Sequence, residues 1–225
     1  MSKCEQCIAR QLNSMRSMTK EELKQVSDSK TSLGYKRGDI IFDEGELLNG
    51  VYCIRSGVCK LVKLNSNGKD QTVKLLGKGE LIGQRSIISE ERTNLSAVAL
   101  NDVELCYVPK DQILNSLHVN KDFSFDVLQH LAQNLRQAED DLIDMAQKSV
   151  KQRLAETIIT LKNDFGVADD GSINVVLTRD DYASIIGTAT ESVIRILSQF
   201  KKEGLISTSG KSIKIMDLER LKRIE

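Results

Sequence analysis

The spacing of apolar positions changes along the chain. From residue 32 to residue 108, short apolar runs rich in β-branched residues alternate with turn signals that contain Gly, Asn and Asp. Strands this short and this evenly spaced are typical of an antiparallel sandwich or roll. From about residue 111 the spacing becomes helical, and after residue 204 two short apolar runs flank Ser209-Gly210-Lys211. The pattern therefore predicts a roll, then helices, then a small hairpin.

One helical segment carries a long apolar stripe. Its members are three and four residues apart, like the a and d positions of a coiled coil: Leu128, Leu131, Leu135, Ala138, Leu142 and Met145. The stripe could pack on the roll of its own chain. Its length, and the polar residues on the opposite side, favour a parallel homodimer along this helix.

Residues 178–204 predict two helices that meet at Gly187. Thr178 and Thr188 each stand three residues before an acid, so each is predicted to cap a helix in a capping box. At about 100° per residue, the second helix has apolar and polar stripes on nearly opposite sides. The apolar stripe is Val193, Ile196, Leu197 and Phe200, and the polar stripe is Glu191, Arg195, Ser198 and Lys202.

Two such helices followed by a hairpin predict a winged helix-turn-helix. Its polar stripe is free to enter the major groove of DNA, where Arg195 can contact guanine. The alternative is a surface helix on which Glu191 and Arg195 pair with each other. Glu191 could either complete the capping box or accept a hydrogen bond from cytosine.

Composition limits these interpretations without deciding between them. The chain has 225 residues, enough for two domains, and its 32 Lys and Arg balance 32 Asp and Glu. Bulk charge therefore does not identify a nucleic-acid binder, although a small dimeric module needs only local basic groups. The N-terminus lacks a signal-peptide core, and no apolar run approaches membrane-spanning length. We expect a cytoplasmic protein without a membrane partner, whose five Cys are thiols or metal ligands.

In order along the chain, four segments resemble motifs of the Crp/Fnr superfamily of bacterial transcription regulators: residues 38–45, 52–57, 79–83 and 150–155. The resemblance covers almost the whole chain and ends in the helix-turn-helix. It implies an α+β fold with three parts. These are an effector-sensing antiparallel β-roll (a jelly roll) at residues 1–110, a dimerisation helix at 111–147 and a winged helix-turn-helix at 148–225.

The same resemblance implies a homodimer that binds a palindromic operator in double-stranded DNA, contacts RNA polymerase and has no enzymatic activity. In this family the Glu and the final Arg of the recognition helix read the half-site, and they correspond to Glu191 and Arg195. Thr190 stands where the cyclic-AMP receptor branch often has Arg, so one guanine contact is expected to be missing. Expected phosphate contacts come from Arg179, Thr188, Ser192 and Lys211.

Three effector hypotheses remain open. The family's phosphate cassette has a Glu after an Ile-Gly turn, and later an Arg followed by Ser or Thr. Here Gln84 replaces that Glu, and Arg92-Thr93 stands about one residue out of place. A cyclic nucleotide would be bound by residues of this region: Gly83, Gln84, Arg85, Ser86, Arg92 and Thr93. A small organic effector, or none, is another hypothesis.

The remaining hypothesis is an iron–sulfur cluster or another metal bound by thiolates. Cys4 and Cys7 form a CxxC, a spacing common among cluster ligands. The oxygen-sensing Fnr branch has a CxxC at this place, and Cys106 matches its fourth Cys. Its third ligand falls at Asn13, for which Cys59, Cys53 or a carboxylate could substitute. The alternative for the cysteines in strands is a purely structural role as small buried hydrophobic residues.

Rival functions find less support. A cupin-like metal enzyme would need His or Glu ligands on facing strands of the roll. Neither His118 nor His130 lies between residues 32 and 108. A cyclic-nucleotide-regulated scaffold without DNA binding would have no use for the hairpin or for the helix with two distinct faces.

Overall fold

The computed structural model of the protein describes residues 4–64 and 70–224. Contacts divide the chain into two compact units. The N-terminal unit contains residues up to 63 together with 73–137, and the C-terminal unit contains 64–72 together with 138–225. Within the described residues, no helix is long and apolar enough to cross a lipid bilayer.

Two sheets of four strands each form the β-roll. The first has the order β1-β8-β3-β6 and the second β2-β7-β4-β5. β8 pairs antiparallel with both β1 and β3, and β7 pairs antiparallel with both β2 and β4. The antiparallel roll predicted from the sequence is therefore confirmed. The strands are β1 Thr31–Tyr35, β2 Ile40–Phe42, β3 Gly50–Ser56, β4 Cys59–Leu64, β5 Asp70–Leu76, β6 Leu81–Ile82, β7 Ser96–Ala99 and β8 Val103–Pro109.

Strand register decides which side chains share a face of the first sheet. Tyr52 on β3 stands opposite Tyr107 on β8, and Cys53 stands opposite Cys106. Successive side chains point to opposite faces, so the two phenols lie on one face and the two thiols on the other. The ring of Tyr52 lies 5.9 Å from that of Phe42 in the second sheet, measured between centroids. The tyrosine face is therefore the inner face of the roll.

Short helices and one long helix accompany the roll: α1 Ile8–Gln11, α2 Lys20–Ser29, α3 Gln84–Ser89, α4 Lys110–Val119 and α5 Lys121–Gln147, with 3-10 turns at Cys4–Gln6 and Ser14–Ser17. Helix α2 begins with a capping box. The Thr19 side chain accepts from the Glu22 amide, and the Glu22 carboxylate accepts from the Thr19 amide. This reciprocal pair caps the first turn of the helix.

Helix α5 has a buried side and an exposed side. Phe123 and Val127 are buried in the core, and Leu131 packs against it. Leu128, Leu135 and Leu142 are 62%, 62% and 72% exposed. Leu131 therefore differs from the other leucines of the predicted apolar stripe. Leu131 lies partly against its own unit because the core reaches one turn further along the helix than the stripe indicates.

The C-terminal unit combines helices with a two-stranded hairpin: α6 Val150–Phe165, α7 Arg179–Ile186, α8 Thr190–Lys202, β9 Ile206–Ser209, β10 Ser212–Ile215 and α9 Leu218–Lys222. Leu154, Ile158 and Leu161 of α6 are buried. The hairpin pairs Ser209 with Ser212, and Gly210 in its turn has φ 58°. Helix α9 lies outside every predicted element.

Candidate functional site

The first helix of the helix-turn-helix begins as its sequence predicts. The Thr178 hydroxyl accepts from the Asp181 amide at 3.1 Å, and the Asp181 carboxylate accepts from the Thr178 amide at 2.9 Å. Gly187 ends α7 in the left-handed conformation, with φ 65°. Glycine adopts this conformation without the steric cost that a side chain would carry. The predicted capping box and glycine turn are both confirmed.

The predicted cap at Thr188 is wrong. Helix α8 begins at Thr190, with Ala189 at its cap position and no side-chain cap bond. The amide of Thr188 instead donates to the carbonyl of Ala183 at 3.0 Å and so closes the end of α7. Thr188 stands one residue before the cap position of α8, which Ala189 occupies. Thr190 donates from its hydroxyl to Asp180 at 2.6 Å.

The two faces of α8 are separated as expected. Val193, Ile196, Leu197 and Phe200 are buried, and the polar stripe is exposed. Because Thr188 does not cap the helix, Glu191 has no role in a capping box. Within the described residues, the side chains of Glu191 and Arg195 have no hydrogen bond or ion pair. The alternative of a surface Glu–Arg pair is therefore not the observed arrangement.

The residues expected to contact phosphate occupy different environments. Lys211 is exposed on the turn of the hairpin, and Thr188 and Ser192 are half-buried. Arg179 is half-buried, and its Nη2 donates to the carbonyl of Gly210 in the same turn at 3.4 Å. Its Nη1 is buried without a hydrogen-bond partner. A buried donor of this kind is unusual in a folded protein and calls for an explanation.

The six expected effector residues do not form one open site. Gly83, with φ 88°, precedes α3, and Gln84 and Ser86 are buried. Arg92 donates to the carbonyl of Gly45 at 2.8 Å, and the Thr93 hydroxyl donates to that of Asp43 at 2.7 Å.

Both residues therefore hold the loop between β2 and β3. Arg85 donates to the side chain of Asn94. The acceptors of these three side chains belong to the protein itself, and binding of a cyclic nucleotide by this region stays a prediction.

An aromatic pocket, which sequence reasoning missed, lies on the inner face of the first sheet. The cavity measures about 370 Å³ and is lined by Thr31, Leu33, Glu46, Leu47, Leu48, Asn49, Tyr52 and Tyr107. The rings of Tyr52 and Tyr107 are 5.3 Å apart and tilted by 59°. Burial, aided by the neighbouring phenols and by Glu46, raises the pKa of Tyr52 to about 12, so its phenol is neutral near pH 7. Only strand register reveals this pairing.

Four of the five cysteines lie near one another, and Cys59 lies apart from them. Cys53 and Cys106 share a face, and Cys4 and Cys7 lie close enough to influence their ionisation. Cys59 is buried in β4 of the other sheet, so its assignment as the substitute ligand is wrong. Of the two thiols considered for the third ligand position, Cys53 is the one that lies near Cys4, Cys7 and Cys106. Burial raises the pKa of Cys53 and of Cys59 to about 12.

The grouped thiols do not fit an iron–sulfur cluster as arranged. Asn13, at the expected third position, accepts from the Met15 amide at 2.9 Å and donates to the Gly79 carbonyl at 2.7 Å. The Lys30 ammonium contacts the Cys4 sulfur at 3.2 Å. Among the described residues, no three Cys, His, Asp or Glu side chains converge as metal ligands. A cluster is held by a full set of such ligands, which the described residues do not bring together.

Comparison with known proteins identifies the class. Residues 33–120 match the cyclic nucleotide-binding domain, and residues 152–224 match the Crp-like helix-turn-helix domain. The chain is 35% identical over 178 residues to the anaerobic regulatory protein of Bacillus subtilis strain 168, which covers 77% of this chain and 75% of that protein. The chain belongs to the Crp/Fnr family of transcription regulators, as the motifs indicate.

Other relatives agree with this assignment. A CRP-like cAMP-activated global transcriptional regulator of Mycobacterium tuberculosis H37Rv is 29% identical over 191 residues, covering 84% of this chain and 85% of that protein. The solved structure of FixK2 from Bradyrhizobium japonicum superposes with a TM-score of 0.79 at 24% identity, covering 87% and 97% of the two chains. That likeness concerns the fold.

Proposed function

We propose that this protein is a homodimer that binds a palindromic DNA operator, with an affinity controlled by a signal at its N-terminal unit. The observation that carries the proposal is the division of α8. Four apolar side chains anchor the helix, and Glu191 and Arg195 face solvent without an internal partner in the described residues. Two charged side chains on a rigid, exposed helix face suit base edges in the major groove.

Each of the two side chains has a chemical counterpart on a base. The planar guanidinium of Arg195 can donate two hydrogen bonds to O6 and N7 of guanine, and the Glu191 carboxylate can accept from N4 of cytosine. Thr190 is neutral and bonded to Asp180, so it supplies no third contact to a guanine. The predicted half-site is therefore short, and these two residues give it its sequence preference.

Phosphate contacts would fix the register of the helix on DNA. The guanidinium of Arg179 is half-buried beside the hairpin turn, where its charge would attract a phosphate. Lys211 on the hairpin turn would add a second cation. Thr188 and Ser192, both half-buried, would contribute hydroxyl donors. None of these contacts carries sequence information directly.

The exposed side of α5 supports a dimer. Leu128, Leu135 and Leu142 repeat every seven residues and are mostly exposed. Ala138 is also exposed, and Met145 is 40% exposed. A contiguous apolar stripe of this length is normally covered by a partner. A parallel pairing of two such helices covers it and supplies two recognition helices, which a palindromic operator requires.

The proposal also covers where the protein acts and which partner it meets there. As a regulator of transcription it would act in the cytoplasm, in contact with RNA polymerase, and would carry out no catalytic step. The names of the relatives support this setting, since they describe regulatory proteins.

The proposal is tested by selecting bound duplexes from a random DNA library and titrating the selected site by fluorescence anisotropy. We expect an inverted repeat to emerge, with specific binding at least about a thousandfold tighter than binding to random duplex. The chain would not be a sequence-specific regulator if selection gave no consensus and both duplexes bound alike at the same salt concentration.

A further inference from the structure

The tyrosine pocket, lined by Thr31, Leu33, residues 46–49, Tyr52 and Tyr107, has aromatic walls set by the backbone. A Cβ at Gly50 would lie 2.6 Å from two ring carbons of Tyr107, so glycine is needed for this ring to rest where it does. Phe42 supports Tyr52 from the second sheet. The two phenol rings, tilted by 59° to each other, are therefore held in place on the wall of the cavity.

The charge of the lining is one-sided. Glu46, whose carboxylate also accepts from the Asp43 amide at 3.0 Å, is its acid, and none of the described residues that line the pocket is basic. The nearby guanidinium groups are engaged elsewhere, with Arg92 on the Gly45 carbonyl and Arg85 on Asn94. Basic side chains make the strongest hydrogen bonds to a phosphate. The pocket is therefore poorly matched to a nucleotide phosphate and well matched to a positive charge.

These features together describe a site for an ammonium group. Electron-rich faces of neutral tyrosines attract cations that lie within about 6 Å of the ring centre, and a carboxylate at the edge adds to the attraction. A volume of about 370 Å³ is enough for a small organic molecule. We propose that the tyrosine pocket binds a small organic ammonium ion and that this ion is the effector. The second clause rests on the proposed function.

The tyrosines themselves provide the readout. The chain has no Trp and four Tyr. Tyr52 and Tyr107 line the pocket, and Tyr35 lies close enough to Tyr52 to help raise its pKa. Tyr182 is buried in the C-terminal unit. Tyrosine emission is titrated with choline, with its neutral isostere 3,3-dimethylbutan-1-ol, and with cyclic AMP. We expect a saturable change with choline, about tenfold weaker binding of the alcohol, and no competition by cyclic AMP.

Glu46→Gln should weaken choline binding about fivefold, because it removes the charge and keeps the shape. Glu44→Gln is the matched control, since Glu44 pairs with Lys63 and does not line the pocket. Equal affinities for choline and the alcohol, competition by cyclic AMP, or the same result for both variants would each overturn the site. Choline that binds but leaves operator affinity unchanged overturns the effector clause alone. Failure of the DNA selection is a separate result and concerns only the proposed function.

Discussion

The two units use their polar side chains in opposite ways. In the C-terminal unit, Glu191 and Arg195 face solvent and have no partner among the described residues. In the N-terminal unit, Arg85, Arg92 and Thr93 are bonded to other groups of the same unit. A side chain without an internal partner can bind a ligand without first giving up a bond. This difference explains why a DNA-reading role is readable from the sequence and an effector is not.

The largest expected effect comes from charging the exposed side of α5. Leu135→Asp would bury a carboxylate in the dimer seam and should raise the dimer dissociation constant at least about a hundredfold, some 3 kcal/mol. Sedimentation velocity measures it. Val119→Asp is the control, because Val119 is 76% exposed on α4 and lies outside the seam. A Leu135→Asp protein that sediments as an unchanged dimer would refute the seam.

Next comes Arg195→Ala, which should weaken operator binding by about 1–3 kcal/mol and relax the preference for one guanine. Arg195→Lys retains the charge without the planar fork, so it should lose specificity while keeping affinity for random duplex. Arg92→Ala is expected to leave DNA binding unchanged because its guanidinium already bonds Gly45. Anisotropy titrations on both duplexes measure all three. Equal losses on operator and random DNA for Arg195→Ala would contradict base readout.

A smaller effect compares the two threonines of the helix-turn-helix. Thr178→Ala removes an observed cap and should lower the free energy of unfolding by about 1 kcal/mol. Thr188→Ala removes a hydroxyl that caps no helix, so the expected change is within about 0.5 kcal/mol. Urea unfolding followed by circular dichroism measures both. Equal losses for the two variants would show that the second helix is capped as the sequence alone indicated.

The smallest expected effect concerns thiol reactivity in the folded protein. Cys7 is half-buried, and the other four cysteines are buried. Burial also raises the pKa of Cys53, Cys59 and Cys106, which lowers their thiolate fraction at neutral pH. Ellman's reagent at pH 7.5 should therefore label one thiol rapidly. The rapid phase should vanish in Cys7→Ser and persist in Cys59→Ser. A rapid phase that survives Cys7→Ser would mean that the N-terminal segment opens readily.

Errors in the sequence interpretation have local physical causes. Thr188 has the same spacing to an acid as Thr178, yet its amide closes α7, so the same motif does not give the same cap. Leu131 continues the apolar stripe of α5 and packs against its own unit. Cys59 and Cys53 are equally plausible thiols in sequence, but only Cys53 stands on the face that carries Cys106.

The sequence by itself determined what depends on near neighbours along the chain. Apolar spacing, the Thr178 cap and the Gly187 turn specify the roll, the helix-turn-helix and the two faces of α8, since these features involve residues a few positions apart. Tertiary structure alone decided that Tyr52 meets Tyr107, and that Arg92 bonds Gly45, 47 positions away. Contacts of this kind follow from strand register and loop closure, which local spacing does not encode.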